Sequence, residues 1–237
     1  MSTPIVNGFP ETDEGRIEQS VRPTRLADFV GQRQIKDNLS IAIEASRKRG
    51  QALDHVLLYG PAGCGKTTLA QVIANELGVG LRIIAAPLLS KKFELVFLLM
   101  ELNEREVLFI DKIHRLAPPV EEVLYSAMED FQLNLVTGQK SFPFALNHFT
   151  LVGATTRPGL ITQPLRNRFG IVEHLNPYTQ DELTQIVERS ASILHIPCEA
   201  KAAAQIAQRA RRAQSRQPIA QALPGFRRCA RRWAFDQ

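Results

Sequence analysis

Short, nearly continuous apolar runs recur along the chain, separated by stretches whose apolar positions return every three or four residues. The runs are HVLLY (55–59), LRIIA (81–85), VLFID (107–111), FTLVG (149–153) and IVEHL (171–175). Strands covered by helices on both faces read this way, because neither face needs polar residues. Between them lie helical patterns. Arg33 to Gly50 carries Ile35, Leu39, Ala42, Ile43 and Ser46 at helical spacing and stops at a glycine. The alternation predicts a parallel α/β sheet flanked by helices. After Asn176-Pro177 the pattern changes. Residues Thr179–Leu194 and Glu199–Arg212 read as helices and no strand follows, which predicts a small all-helical domain beyond a boundary near Leu175. The helical pattern breaks at Leu223-Pro224-Gly225, where proline lacks an amide and glycine weakens a helix. The expected division is a flexible arm over residues 1–18, a nucleotide-binding domain over 19–175, and a helical domain over 176–237.

Composition narrows the class. Apolar content of 44% and charged content of 22% over 237 residues are those of an ordinary globular protein. The longest apolar run is Leu95–Met100, far too short to span a bilayer, so no membrane role is expected. The N-terminus lacks the apolar core of a signal peptide. Cys64, Cys198 and Cys229 are widely spaced, which argues against a disulfide framework or a metal knuckle and fits a reducing cytosol. The net charge of +5 is uneven: from Gln205 to Gln237 there are eight arginines and one acid, a balance of +7, leaving −2 elsewhere. A basic tail can touch nucleic acid, or it can be a solvated helical face.

Gly60 to Thr67 reads GPAGCGKT, the G-x-x-x-x-G-K-[ST] phosphate loop, with a strand pattern before it and the helical TTLAQVIANEL after it. The glycines let backbone N–H groups wrap a phosphate, and the helix N-terminus adds a favourable dipole. Lys66 reaches the β- and γ-phosphates, and Thr67 offers its hydroxyl to magnesium. Asp111 ends the third apolar run, where a carboxylate holds magnesium through water. ATP and Mg2+ are therefore the expected ligands. Cys64, at a variable position of the loop, reads as inert filler.

Several longer motifs carry a resemblance. GPAGCGKTTLAQVIANELGV, VLFIDKIHRL, VEEVLYSAMEDFQLN and FTLVGATTRPGLITQPLRNRFGIV resemble the RuvB family, the AAA+ motors of bacterial Holliday junction branch migration, as does RPTRLADFVGQ (22–32). The resemblance covers residues 20 to 212 or so. It implies a P-loop AAA+ fold with a helical lid, and an ATP-dependent DNA helicase acting in recombination and repair. It further implies a homo-hexameric ring with ATP between subunits, acting on duplex DNA beside the junction-binding partner RuvA. Residue by residue, it implies that Val21 and Arg22 line the nucleotide pocket and that Tyr178 closes it. Gly63, Gly65, Lys66, Thr67 and Thr68 hold phosphates and magnesium. Thr155 senses the γ-phosphate. Arg168 is the arginine finger of the neighbouring site, and Glu129, Asp130 and Phe131 meet nucleotide across the interface. From the residues alone, Arg168 reads as an exposed cation at a helix end, and His114 as a polar contact rather than a ligand.

Four departures from the family pattern bear on function. The family's D-E-I-H is here Asp111-Lys112-Ile113-His114. A glutamate can orient and polarise the attacking water, whereas an ammonium accepts no proton, so hydrolysis is expected to fall by about 10²–10⁴-fold. Pro218 stands at the aligned position of the second sensor arginine, with Arg216 nearby. The hairpin segment NLVTGQKSFPFALNH is short, and Phe142, Phe144 and Leu146 are its candidate apolar contacts for a RuvA-like partner. The chain reaches Gln237 without the family's winged-helix domain, which is expected to weaken DNA binding. The expected function is an ATP-binding motor subunit with slow hydrolysis. The alternatives are a non-hydrolysing assembly or regulatory ring subunit, and a degenerate copy without function.

Overall fold

The computed structural model describes residues 20–137 and 140–214. The expected arm over 1–18, Arg216 and Pro218, the break at 223–225 and the arginines of RRCARR lie outside them. The described chain forms two units.

The larger unit comprises Arg33–Gly60 and Lys66–Leu175. Its elements are α1 (Arg33–Arg49), β1 (Val56–Tyr59), α2 (Lys66–Leu77), β2 (Leu81–Ala85), α3 (Lys92–Met100), β3 (Val107–Asp111), α4 (Pro118–Glu129), β4 (Gln132–Thr137), β5 (Lys140–Ala145), β6 (Thr150–Thr155), α5 (Gln163–Asn167) and β7 (Ile171–His174), with single 3-10 turns at Ala86–Leu88, Ile113–Arg115 and Pro158–Leu160. Five strands make one sheet in the order β2-β3-β6-β1-β7, and every pairing is parallel.

The central strands explain the apolar runs. All six residues of β6 are buried, and Val107 to Ile110 of β3 are buried on both faces. Leu108 and Ile110 join Leu95 and Leu99 of α3 and Val120, Leu124 and Ala127 of α4 in one core. Val107 and Phe109 point to the opposite face because strand side chains alternate, and α2 contacts β3 and α1. The edge strands depart from the expectation of two buried faces. β7 alternates between half-buried and exposed positions, and no residue of β2 is fully buried, because each has a neighbour on one side only.

β4 and β5 form a separate antiparallel hairpin in which Leu133 pairs with Phe144 and Leu135 with Phe142. Phe142 and Phe144 are exposed, but Leu146 is buried in the core of the unit. Leu146 therefore belongs to the fold and not to an exposed apolar tip, because it lies beyond the last hairpin pair.

The smaller unit comprises residues 20–32, Pro61–Gly65 and residues 176–214. Its helices α6 (Gln180–Ile193) and α7 (Ala200–Gln214) pack on each other over Tyr178, Leu183 and Ala207. Thr179 and Glu182 close a capping box at the start of α6: Thr179 N–H donates to the Glu182 carboxylate at 2.7 Å and Glu182 N–H to the Thr179 hydroxyl at 3.2 Å. Although it precedes the sheet in sequence, the entry segment groups with these helices. Arg189 Nη1 donates to the Val21 carbonyl at 2.8 Å. Gln32 and Asn176 exchange bonds, side-chain amide to carbonyl at 2.6 Å and backbone N–H to side-chain oxygen at 3.1 Å.

Candidate functional site

In a parallel sheet of this kind, ligands gather outside the carboxyl ends of the strands, where the connections change direction. β1, β3 and β6 end together: Tyr59 pairs with Thr155, and Asp111 with Ala154. The phosphate loop leaves β1 at this edge, anchored by Gly60 N–H to the Thr155 carbonyl at 3.2 Å.

The loop needs its glycines. Gly60, Gly63 and Gly65 have φ of 150, 79 and 87°, which side chains oppose sterically. A Cβ on Gly60 would lie 2.3 Å from the Leu175 carbonyl oxygen, and one on Gly65 would lie 2.8 Å from the Tyr178 hydroxyl and 2.9 Å from the Phe29 ring. These positions therefore admit glycine and oppose a side chain. Lys66 begins α2, is 8% exposed, and donates from Nζ to the Gly60 carbonyl at 2.8 Å. Thr67 and Thr68 follow on the first turn of α2, half-buried, and Cys64 is buried. Burial and the nearby Cys64 and Glu182 push the Tyr178 phenol far above its ordinary value, so it stays protonated against the loop.

Asp111 is half-buried at the end of β3. Lys112 follows it in the left-handed conformation, φ 54 and ψ 42°, and is exposed. The chain then turns through Ile113–Arg115, which brings His114 Nδ1 to 2.8 Å from the Thr155 hydroxyl. Thr155 is 1% exposed and also accepts the Arg157 N–H at 2.9 Å. Burial, then Arg115 and Arg157, hold His114 below its ordinary value, with Asp111 pulling the other way. The imidazole is therefore mainly neutral at pH 7, and Nδ1 can accept the Thr155 hydroxyl proton.

These residues fit a magnesium nucleotide. Among the described residues there is no group of three His, Cys, Asp or Glu side chains able to hold a metal alone. Magnesium characteristically binds one or two protein oxygens, water and substrate phosphates, and the Thr67 hydroxyl and Asp111 carboxylate supply that kind of donor set.

The second group of residues lies at the opposite, amino edge. A cavity of about 510 Å³ is lined there by Gln51 to His55, which lead into β1, His148, which precedes β6, Gly170, which precedes β7, and by Phe131 and Arg168. Strands rise about 3.3 Å per residue, and β1 has four residues. Arg168 thus stands on the order of 10 Å or more from the phosphate-loop edge of its own sheet. Its Nη2 pairs with Glu129 at 2.6 Å, and its guanidinium lies 4.7 Å above the Tyr125 ring. Asp130 caps α4, and Phe131 follows with φ 50°, its ring 4.2 Å from that of His148.

Sequence reasoning passed over Tyr125, Arg157 and His55. Tyr125 was detectable, since Glu121, Tyr125 and Glu129 repeat every four residues on one helix. The Arg157 contact is made by its backbone, and side-chain identity carries no such signal.

The chain matches the family described as Holliday junction DNA helicase RuvB P-loop domain over residues 21–175 and the RuvB AAA lid domain over residues 178–217. Among solved structures it is 48% identical to the Thermotoga maritima RuvB Holliday junction branch migration motor, with a TM-score of 0.74, covering 81% of this chain and 61% of that one. A single-residue mutant of Thermotoga maritima RuvB matches with 48% identity and a TM-score of 0.74, covering 80% of this chain and 60% of that one. The chain thus spans 60–61% of the length of these solved proteins.

Proposed function

The chain belongs to the RuvB family, and from that premise we propose that it is an ATP-binding subunit of a Holliday junction branch-migration motor whose hydrolysis is slowed by Lys112. The observation that carries this reading is the pairing of an intact phosphate loop with Lys112 immediately after Asp111.

In the proposed mechanism, the N–H groups of Gly63 to Thr67 and the ammonium of Lys66 hold the phosphates. Val21, Arg22 and Tyr178 hold the base end, and Thr68 supports the loop from α2. Thr67 and, through water, Asp111 would hold magnesium, which would supply charge neutralisation on the phosphates. Thr155 donates its one hydroxyl proton to a γ-phosphate oxygen, with neutral His114 then in the tautomer that donates from Nδ1 to the Thr155 oxygen. The water-orienting carboxylate of the family pattern is missing. Lys112 adds a positive charge that strengthens phosphate binding and activates no water. Arg168, at the amino edge with Glu129, Asp130 and Phe131, serves a second copy's nucleotide, so turnover requires assembly. Duplex DNA and a RuvA-like protein are the proposed partners, the latter at the exposed Phe142 and Phe144.

Equilibrium binding of a fluorescent ATP analogue, with parallel phosphate-release assays, tests this. We expect magnesium-dependent binding with turnover near background, and a gain of turnover in Lys112→Glu. Absence of ATP binding, or brisk turnover by the unaltered chain, refutes the reading.

A second reading has its own support: the finger motif and Thr155 persist although the water-orienting residue does not. A subunit of that kind enters rings of an intact motor and stalls or regulates them. Titration into an intact motor then changes ATPase and branch migration; no change at stoichiometric excess eliminates this reading.

A further inference from the structure

The guanidinium of Arg168 is held on three sides. Nε donates to the Tyr125 carbonyl at 3.3 Å, Nη1 to the Pro164 carbonyl at 2.8 Å, and Nη2 to Glu129 Oε2 at 2.6 Å. The Tyr125 ring lies beneath the plane, 4.7 Å from Cζ. A guanidinium has five N–H donors. The three bonds described use one on each nitrogen and leave one N–H on each terminal nitrogen. One N–H from each of Nη1 and Nη2 is what an arginine uses to grip two oxygens of a phosphate.

The support beneath the fork is itself tied down. Tyr125 donates its hydroxyl to Glu121 Oε1 at 2.7 Å, and the Thr162 hydroxyl donates to the same carboxylate oxygen. Glu121 is 8% exposed. Thr162 is the N-cap of α5, and Arg168 is its C-cap residue. One buried carboxylate therefore joins the helix that carries Tyr125 and Glu129 to the helix that carries Arg168. An exposed ion pair alone contributes little. Three acceptors, a ring and a tethered helix end together fix the plane of a side chain that would otherwise sample many rotamers.

We propose that Glu129 and Tyr125 are positioning residues that preassemble Arg168 as a two-donor fork for a phosphate presented by another molecule, with Glu121 and Thr162 setting the angle between α4 and α5. This rests on the reading of Arg168 as the finger for a second copy's ATP. Glu129 does not consume the finger, because the three bonds leave one N–H on each terminal nitrogen. It removes the rotamer freedom that the finger would otherwise lose on engaging phosphate. The effect belongs to the transition state, where donors aligned in advance cost no reorganisation.

The test supplies this chain to a full-length RuvB family motor that has alanine at the position of Arg168, so that a hydrolytically complete site depends on a donated finger. ATPase of the mixture is measured as kcat and KM for ATP. We expect the parent chain to raise kcat and Arg168→Ala to raise it not at all. Tyr125→Ala and Glu129→Ala should lower the restored kcat by about tenfold or more, with KM essentially unchanged. Tyr125→Phe keeps the ring and Glu129→Gln keeps an acceptor, so both should retain most of the restoration. Glu129 is 61% exposed, so its substitution leaves the fold intact, and melting curves verify this for all variants. Alanine variants that restore kcat as well as the parent overturn the positioning proposal and leave the finger reading standing. A parent chain no better than Arg168→Ala overturns the finger reading and the positioning with it.

Discussion

His114 Nδ1 and Thr155 Oγ1 lie 2.8 Å apart, which joins the turn after β3 to the end of β6. One strand carries the candidate magnesium-site aspartate and the other the candidate phosphate sensor, and this bond ties the turn after the first to the end of the second. Thr155 is buried and retains the Arg157 N–H when His114 is removed. In a Lys112→Glu background, His114→Ala should therefore lower turnover by about two- to tenfold, the worth of one net hydrogen bond. ATP affinity should stay within about threefold, because the loop is untouched. Equal loss of affinity and turnover, measured by titration and steady-state kinetics, would show that His114 serves the loop rather than the sensor.

Lys112 is exposed and left-handed, with φ 54°. That conformation costs a non-glycine residue about 1–2 kcal/mol, and the turn imposes it whatever side chain is present. Lys112→Glu should therefore enter the same backbone without refolding the site. Phosphate release should rise by about 10²–10⁴-fold, while Lys112→Ala should leave it near the parent level. A gain in the alanine variant as large as in the glutamate variant would mean that the ammonium inhibits, and that the missing carboxylate matters little.

A cation beside the γ-phosphate should also alter ligand preference. ADP lacks the group that Lys112 pairs with in the proposed site. A charge-assisted hydrogen bond is worth about 1.5–3 kcal/mol, so the parent should prefer ATP to ADP by about tenfold or more. More of that preference should survive chelation of magnesium by EDTA in the parent than in Lys112→Ala, where Lys66 and Thr155 alone read the γ-phosphate. Competition binding of the two nucleotides with and without EDTA reads this directly. Identical ATP-to-ADP ratios in parent and alanine variant would remove Lys112 from the phosphate site.

Much of the sheet was legible because its central strands are buried on both faces. VLFID needs no polar face, and its five letters announce a strand. The loop was legible for a different reason: positive φ at Gly60, Gly63 and Gly65 admits few residues but glycine, so the conformation is written in residue type. The hairpin was harder. Phe142, Phe144 and Leu146 alternate alike in sequence, yet only the first two are exposed, since Leu146 lies past the last ladder pair and drops into the core. The cluster around Arg168 was illegible for a further reason. Two of its three acceptors are the carbonyls of Tyr125 and Pro164, and every residue has a carbonyl. Lys112 shows the converse, since its identity was plain in sequence while its left-handed backbone was not.

His55 sets a pH limit on the larger unit. It is 7% exposed, and its Nδ1 accepts the Leu151 N–H at 2.9 Å while Nε2 faces the Met128 carbonyl at 3.1 Å. An acceptor at Nδ1 and a carbonyl at Nε2 require the neutral ring protonated on Nε2. Burial pushes its pKa below the ordinary value, against the weaker pull of the Met128 carbonyl and Asp54. A folded value below the unfolded one means that the unfolded chain binds the proton more readily. The stability from neutral His55 is complete above the unfolded value of about 6.5 and is lost as pH falls through the folded value. His114, also lowered, adds in the same direction. Melting temperature should therefore decline between pH 7.5 and pH 5, before the carboxylates protonate. His55→Phe keeps the ring contacts with Phe131 and Phe149 but leaves the Leu151 N–H and Met128 carbonyl without this partner. It should cost about 1–3 kcal/mol at pH 7.5 and show a shallower decline toward pH 5. A decline as steep in His55→Phe as in the parent, and flattened instead by His114→Gln, would transfer the sensitivity to His114.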